Sequence, residues 1–139
     1  MYQTHQFIIA VLLLALNQTC LAEIAVITHP SNADSFDKNS VSRIFLGKSR
    51  AFPSGAEALP ISFKDGTSES NEFTKNVLSK TPKQLKAYWA KMIFTGKGTP
   101  PKQMDTTEQI LDLVANNPNV IGFVPATSAS ASVKIVATF

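Results

Sequence analysis

ALPISFKDGTSESNEF, residues 58 to 73, sets a short apolar run against a polar turn and then the start of a periodic segment. Ala58 to Phe63 reads as a strand, with Pro60 near its start, where a missing N–H is tolerated. Asp65-Gly66 is a turn signal. Beyond it Phe73, Val77 and Leu78 share one helical face, and Ser70 is the expected N-cap. A strand that feeds a helix through a loop of hydroxyls is the repeating unit of an α/β layer.

The same alternation continues outward. Upstream, EIAVITH (Glu23 to His29) predicts a buried strand that ends at the turn Pro30-Ser31-Asn32. Asp37 is placed to cap a short helix with Val41, Ile44 and Phe45 on its inner face, and Gly47 to stop it. Downstream, Thr81, Pro82 and Gln84 form the start of another helix, with a capping box and proline at the first helical position. Its stripe Leu85, Trp89, Met92 and Ile93 predicts a face docked on the core, with Tyr88 rotated about a quarter-turn away. TGKGTPP (Thr95 to Pro101) reads as a connector, and it lacks the spacing of a phosphate loop. A fourth helix is expected from near Asp105, with Glu108 in its first turn and Ile110, Leu111 and Val114 inside. VIGFVP (Val120 to Pro125) and SVKIVATF (Ser132 to Phe139) are further strands, joined by the small hydroxyl-rich run TSASAS. Strands separated by helices predict an α/β fold with a mainly parallel sheet, in one domain over residues 23–139.

The first 22 residues stand apart. Phe7 to Leu16 is an apolar run too short to span a bilayer and sits at the N-terminus, as a signal-peptide core does. Cys20-Leu21-Ala22 supplies small residues for cleavage after Ala22. That reading is preferred over lipidation of Cys20, because Asn17, Gln18 and Thr19 are a poor approach to an acylated cysteine. The expectation is a periplasmic protein with no membrane span after cleavage and no cysteine, stabilised by packing alone. The charge balance, 13 Lys plus Arg against 10 Asp plus Glu, gives net +3. The basic residues are nearly all lysine and carry no interleaved aromatic stripe, which argues against nucleic acid as a partner.

In a parallel layer, ligands collect outside the carboxyl ends of the strands. The segments expected there are HPSN, FKDGTSES and VPATSAS, all rich in Ser, Thr or Asn. For FKDGTSES two readings stand side by side. The open amides and positive dipole end of a helix bind oxyanions; equally, Ser68 or Ser70 simply caps the helix, and Glu69 repels an anion. His29 has no second ligand at metal spacing, so no metal site and no cofactor are assigned. No GxSxG or other nucleophile setting occurs, and the chain is not read as an enzyme.

The order ITHPSN, VSRIFLGKSRAFPSG, DGTSESNEF, LKAYWAKMIFTGKGTPP and NNPNVIGFVPA resembles the PstS-like family, the substrate-binding proteins of phosphate ABC transporters. It is most similar to short single-lobe members of the type II periplasmic binding protein superfamily. The resemblance covers nearly all of residues 23–139. It implies a three-layer α/β/α lobe, a non-catalytic role in phosphate transport or sensing, and phosphate as the favoured small oxyanion. It also implies that Thr67, Ser68 and Ser70 match hydroxyl ligands and that Lys64 stands where the family puts arginine. The sequence departs from the pattern: there is no Ser-Gly-Thr, lysine lacks the bidentate fork of arginine, and the other lobe has no counterpart. The expected site is therefore Ser31, Asn32, Lys64, Gly66, Thr67, Ser68, Ser70 and Thr127. The alternative is an interaction module of the cell envelope that keeps the fold without the ligand, with an envelope protein or a second copy as partner.

Overall fold

The computed structural model describes residues 23–139. The signal-peptide reading of residues 1–22, with its cleavage and lipidation alternatives, falls outside them.

Five strands form one sheet: β1 (Ile24–Thr28), β2 (Leu59–Phe63), β3 (Lys102–Met104), β4 (Val120–Pro125) and β5 (Lys134–Thr138), in the order β3-β2-β4-β1-β5. β2 pairs parallel to both β3 and β4, whereas β1 runs antiparallel to β4 and to β5. Four strands thus point one way and β1 alone points the other. β1 is buried at all five positions, as its unbroken apolar run requires in the middle of a sheet covered on both faces.

Four helices accompany the sheet: α1 (Lys38–Phe45), α2 (Ser68–Asn76), α3 (Pro82–Phe94) and α4 (Thr107–Asn116). Neighbouring residues of a strand point to opposite faces, and β4 shows where the layers lie. Gly122 faces Ile110 and Val114 of α4. The Phe123 ring meets Phe73 of α2 and Phe45 of α1 on the other side. This is the three-layer α/β/α arrangement. No helix among the described residues is long and apolar enough to cross a membrane.

Local chemistry fixes most helix starts. Asp37 caps α1 in a reciprocal box with Ser40, and the bonds from the Ser40 amide and then its hydroxyl hold the Asp37 carboxyl below the usual carboxylate range. Gly47 follows α1 at φ +69°, the left-handed geometry that ends helices. Thr81 and Gln84 close the expected box on α3.

Several expectations are corrected. Thr67, not Ser70, caps α2, because its extended backbone leaves the hydroxyl facing the Ser70 amide at 3.2 Å. α4 does begin near Asp105 with Glu108 in its first turn, and its cap is Thr106, boxed with Gln109. β3 follows the connector as a strand that the sequence does not announce; three residues with two exposed give no periodic signal. On α3 only Trp89 is buried, and Ile93 is 56% exposed, since the helix rests on α2 at the edge of the domain rather than on the sheet.

Thr28 is wholly buried, and its Oγ1 has no hydrogen-bond partner. A buried unpaired hydroxyl costs free energy that an isosteric methyl does not. Thr28→Val is expected to raise stability by about 1 kcal/mol and the melting temperature by roughly 2–5 °C. A thermal melt showing a loss instead would mean that the hydroxyl has a partner, such as a water.

Candidate functional site

Because β1 runs opposite to β2 and β4, the expected common rim is divided. Thr28 pairs with Ile121 and Lys134, so Ser31 and Asn32 emerge where β4 and β5 begin. Lys64 to Ser70 leave the other end of the sheet, beyond Phe63 and Met104. Ser31 and Asn32 are therefore not brought together with Thr67 and Ser68. Both have local partners instead: the Ser31 amide donates to His29 Nδ1 at 3.1 Å, and the Asn32 carbonyl accepts from Lys134 Nζ at 2.7 Å. Thr127, in the 3-10 turn Ala126–Ser128 after β4, shares the Lys64–Ser70 rim and is exposed.

What the structure does assemble is the turn from Lys64 to Ser70. Gly66 takes φ +87°, open to glycine without strain, and this bends the chain into the start of α2. The Thr67 hydroxyl donates to the Lys64 carbonyl at 2.9 Å while it accepts from the Ser70 amide. The next amide, Asn71, bonds the Thr67 carbonyl at 3.0 Å. The first two amides of α2, on Ser68 and Glu69, precede any carbonyl they can reach within the helix, donate to no backbone carbonyl, and carry the positive end of its dipole.

The charges around this turn oppose an anion. Lys64 is ion-paired with Asp105, and both side chains are more than half exposed. Such a pair contributes at most ~1 kcal/mol to stability, yet it places a carboxylate beside the one cation of the turn. Asp65 is exposed next to it, and Glu69 accepts a hydrogen bond from the Ser68 hydroxyl at 3.2 Å. Two of the hydroxyls expected as ligands are thus engaged locally.

Beside the turn lies a cleft of about 430 Å³ between α2, α3 and the ends of β2 and β3. Gly66 and Ser70 line its mouth; Lys64, Thr67, Ser68 and Thr127 do not. Its floor is apolar, formed by Phe73, Phe123, Leu85 and Trp89. Tyr88 anchors α3 here by donating to the Leu46 carbonyl at 2.6 Å, and burial pushes its phenol pKa up. Sequence reading missed the cleft, because it joins residues of helices and strands whose inner faces were all assigned to one core. Among the described residues no group of three or more His, Cys, Asp or Glu is arranged to hold a metal.

No protein-family model matches the chain. No curated protein matches it either. Solved structures do. An ABC-type phosphate transport receptor from Vibrio cholerae aligns at a TM-score of 0.61 and 12% identity, over 83% of this chain and 46% of the receptor. A Clostridium perfringens protein, described as a phosphate ABC transporter substrate-binding protein and solved with phosphate bound, gives 0.63 and 21% over 83% and 45%. PstS from Borrelia burgdorferi gives 0.60 and 14% over 84% and 47%. The chain spans about half the length of these structures. Over that span the chain shares the fold of these phosphate receptors.

Proposed function

We propose that residues 23–139 form a non-catalytic binding lobe that works outside the cytoplasm after export by residues 1–22. Its ligand is a small oxyanion, phosphate in the first place, bound weakly in the service of phosphate transport or sensing. The observation that carries this is the Gly66-Thr67-Ser68 turn, which opens two amides at the N-terminus of α2 on the rim where β2 ends. A lobe with the fold of phosphate receptors gives that turn its ligand class. Asp65, Glu69 and the Lys64–Asp105 pair make the binding weak.

Calorimetry of the purified chain against phosphate and sulfate tests this, with a dissociation constant of about 1 mM expected. Asp105→Asn removes the competing carboxylate and frees Lys64, and is expected to tighten phosphate binding roughly threefold to tenfold. Thr67→Ala combined with Ser68→Ala is expected to abolish it. Absence of heat in both the parent and Asp105→Asn would sink the reading.

A second reading, an envelope interaction module that has lost its ligand, is favoured by one observation: Lys64, Thr67 and Ser68 already have partners within the chain. It predicts that both titrations are blank while the fold is intact.

A further inference from the structure

From Phe73 to Met104 the sequence carries seven lysines and no Asp, Glu or Arg, although the whole chain is only +3. The rest of the molecule is therefore net acidic, and the positive charge is gathered on α3 and its flanks. The fold decides how that charge is displayed. Trp89 anchors the inner side of α3, so the opposite side presents Lys83, Ala87, Lys91 and Phe94, all exposed, with Ala90 at its edge. Phe94 is 92% exposed at the helix end, while Ile93 and Lys86 lie on the cleft side of the helix. No carboxylate lies within salt-bridge distance of the α3 lysines among the described residues.

We propose that this outer face of α3 docks on an anionic phospholipid bilayer, with Phe94 entering the headgroup layer and the lysines around it lying over it. The proposal is independent of the oxyanion reading at α2.

Three features select lipid over other polyanions. Protein interfaces are depleted in lysine and enriched in arginine, whereas every cation here is lysine. A lysine needs no matched geometry: it is a point charge on a long stem that reaches diffuse negative charge while its methylenes stay near apolar surface. Nucleic-acid surfaces stack several aromatics among their cations, but the exposed face has one aromatic ring, at its tip. A protruding aromatic flanked by lysines on an amphipathic helix is the composition that interfacial helices use. Small Ala87 and Ala90 allow the helix to lie close to the surface.

The test is co-sedimentation of the purified chain with vesicles of equimolar phosphatidylglycerol and phosphatidylcholine, against vesicles of phosphatidylcholine alone. Binding is expected to the anionic vesicles only, and to disappear towards about 1 M salt, where the screening length falls to ~3 Å. Lys83→Gln and Lys91→Gln together are expected to weaken it about twenty-fivefold, at roughly fivefold per lysine. Phe94→Ser is expected to weaken it about tenfold with an unchanged melting temperature, since the ring makes no contribution to the core. Lack of binding to anionic vesicles at low salt overturns the proposal and leaves a protein as the occupant of this face. Undiminished binding of Phe94→Ser overturns it too. So does competition by inorganic phosphate at constant ionic strength, which would move the headgroup to α2.

Discussion

Phe123→Ala is expected to lower the stability of the domain by about 3–5 kcal/mol, close to the whole of a small domain's margin. The ring is 1% exposed and sits between the sheet and the helices α1 and α2. It stacks on Phe73 at 3.9 Å between centroids with the planes 1° apart, and it meets the rings of Phe45 at 5.8 Å and Phe63 at 5.6 Å. Removing it deletes one of the contacts that tie α1 and α2 to the sheet and leaves a hole that rigid neighbours fill only in part. The lost aromatic pairing adds to the transfer term. Because the ring also floors the cleft, the start of α2 is expected to loosen with it. Urea unfolding of the parent, Phe123→Ala and Phe123→Leu measures this, with Phe123→Leu expected to lose about 1.5 kcal/mol. A loss below roughly 1.5 kcal/mol for Phe123→Ala would mean that the aromatic cluster does not hold α2 on the sheet.

Gly122→Val is expected to destabilise by about 3 kcal/mol through the opposite fault. A Cβ built on Gly122 lies 3.0 Å from Ile110 Cγ2, 3.2 Å from Ile61 Cγ1 and 3.5 Å from Val114 Cγ2. A glycine inside a strand costs about 0.5–1 kcal/mol relative to alanine in lost chain entropy, so its place here follows from the close approach of α4 to β4. Gly122→Ala sets the recovered entropy against two tight contacts, and a loss near 1 kcal/mol is expected. Valine adds two further methyls to the same space and cannot be accommodated without moving α4. Thermal and urea melts of both variants report the effect. A valine variant as stable as the parent would show that α4 is free to lift from the sheet, and the packing account of Gly122 would fail.

Much of the local structure was legible in the residues themselves. Asp37, Thr81, Pro82 and Gln84 act within three or four positions of where they stand, so the capped starts of α1 and α3 follow from sequence. The alternation of apolar strands with helices gave the α/β class for the same reason, since each element declares its own inner face. The cap of α2 was misplaced by three residues because Thr67, Ser68 and Ser70 are all competent caps, and only the path set by Gly66 chooses among them. β3 was invisible because a three-residue strand contains less than two periods of any pattern.

The candidate site was far less legible. The sequence marked Ser31, Asn32 and Thr67 as chemically alike, but the direction of a strand is not written in the strand. IAVIT has the same pattern of buried residues whichever way it runs, and its antiparallel pairing with β4 and β5 is decided by the connections and by how the layers close. That one reversal sends Ser31 and Asn32 to the far end of the sheet. The lysines of α3 are likewise countable in the chain, yet only burial of Trp89 on one side sets Lys83 and Lys91, with Phe94, on a single exposed face. Sequence thus determined what each segment is, because caps, turns and periodicity act over a few residues. The tertiary structure alone decided which segments share a surface, because that depends on contacts between residues far apart in the chain.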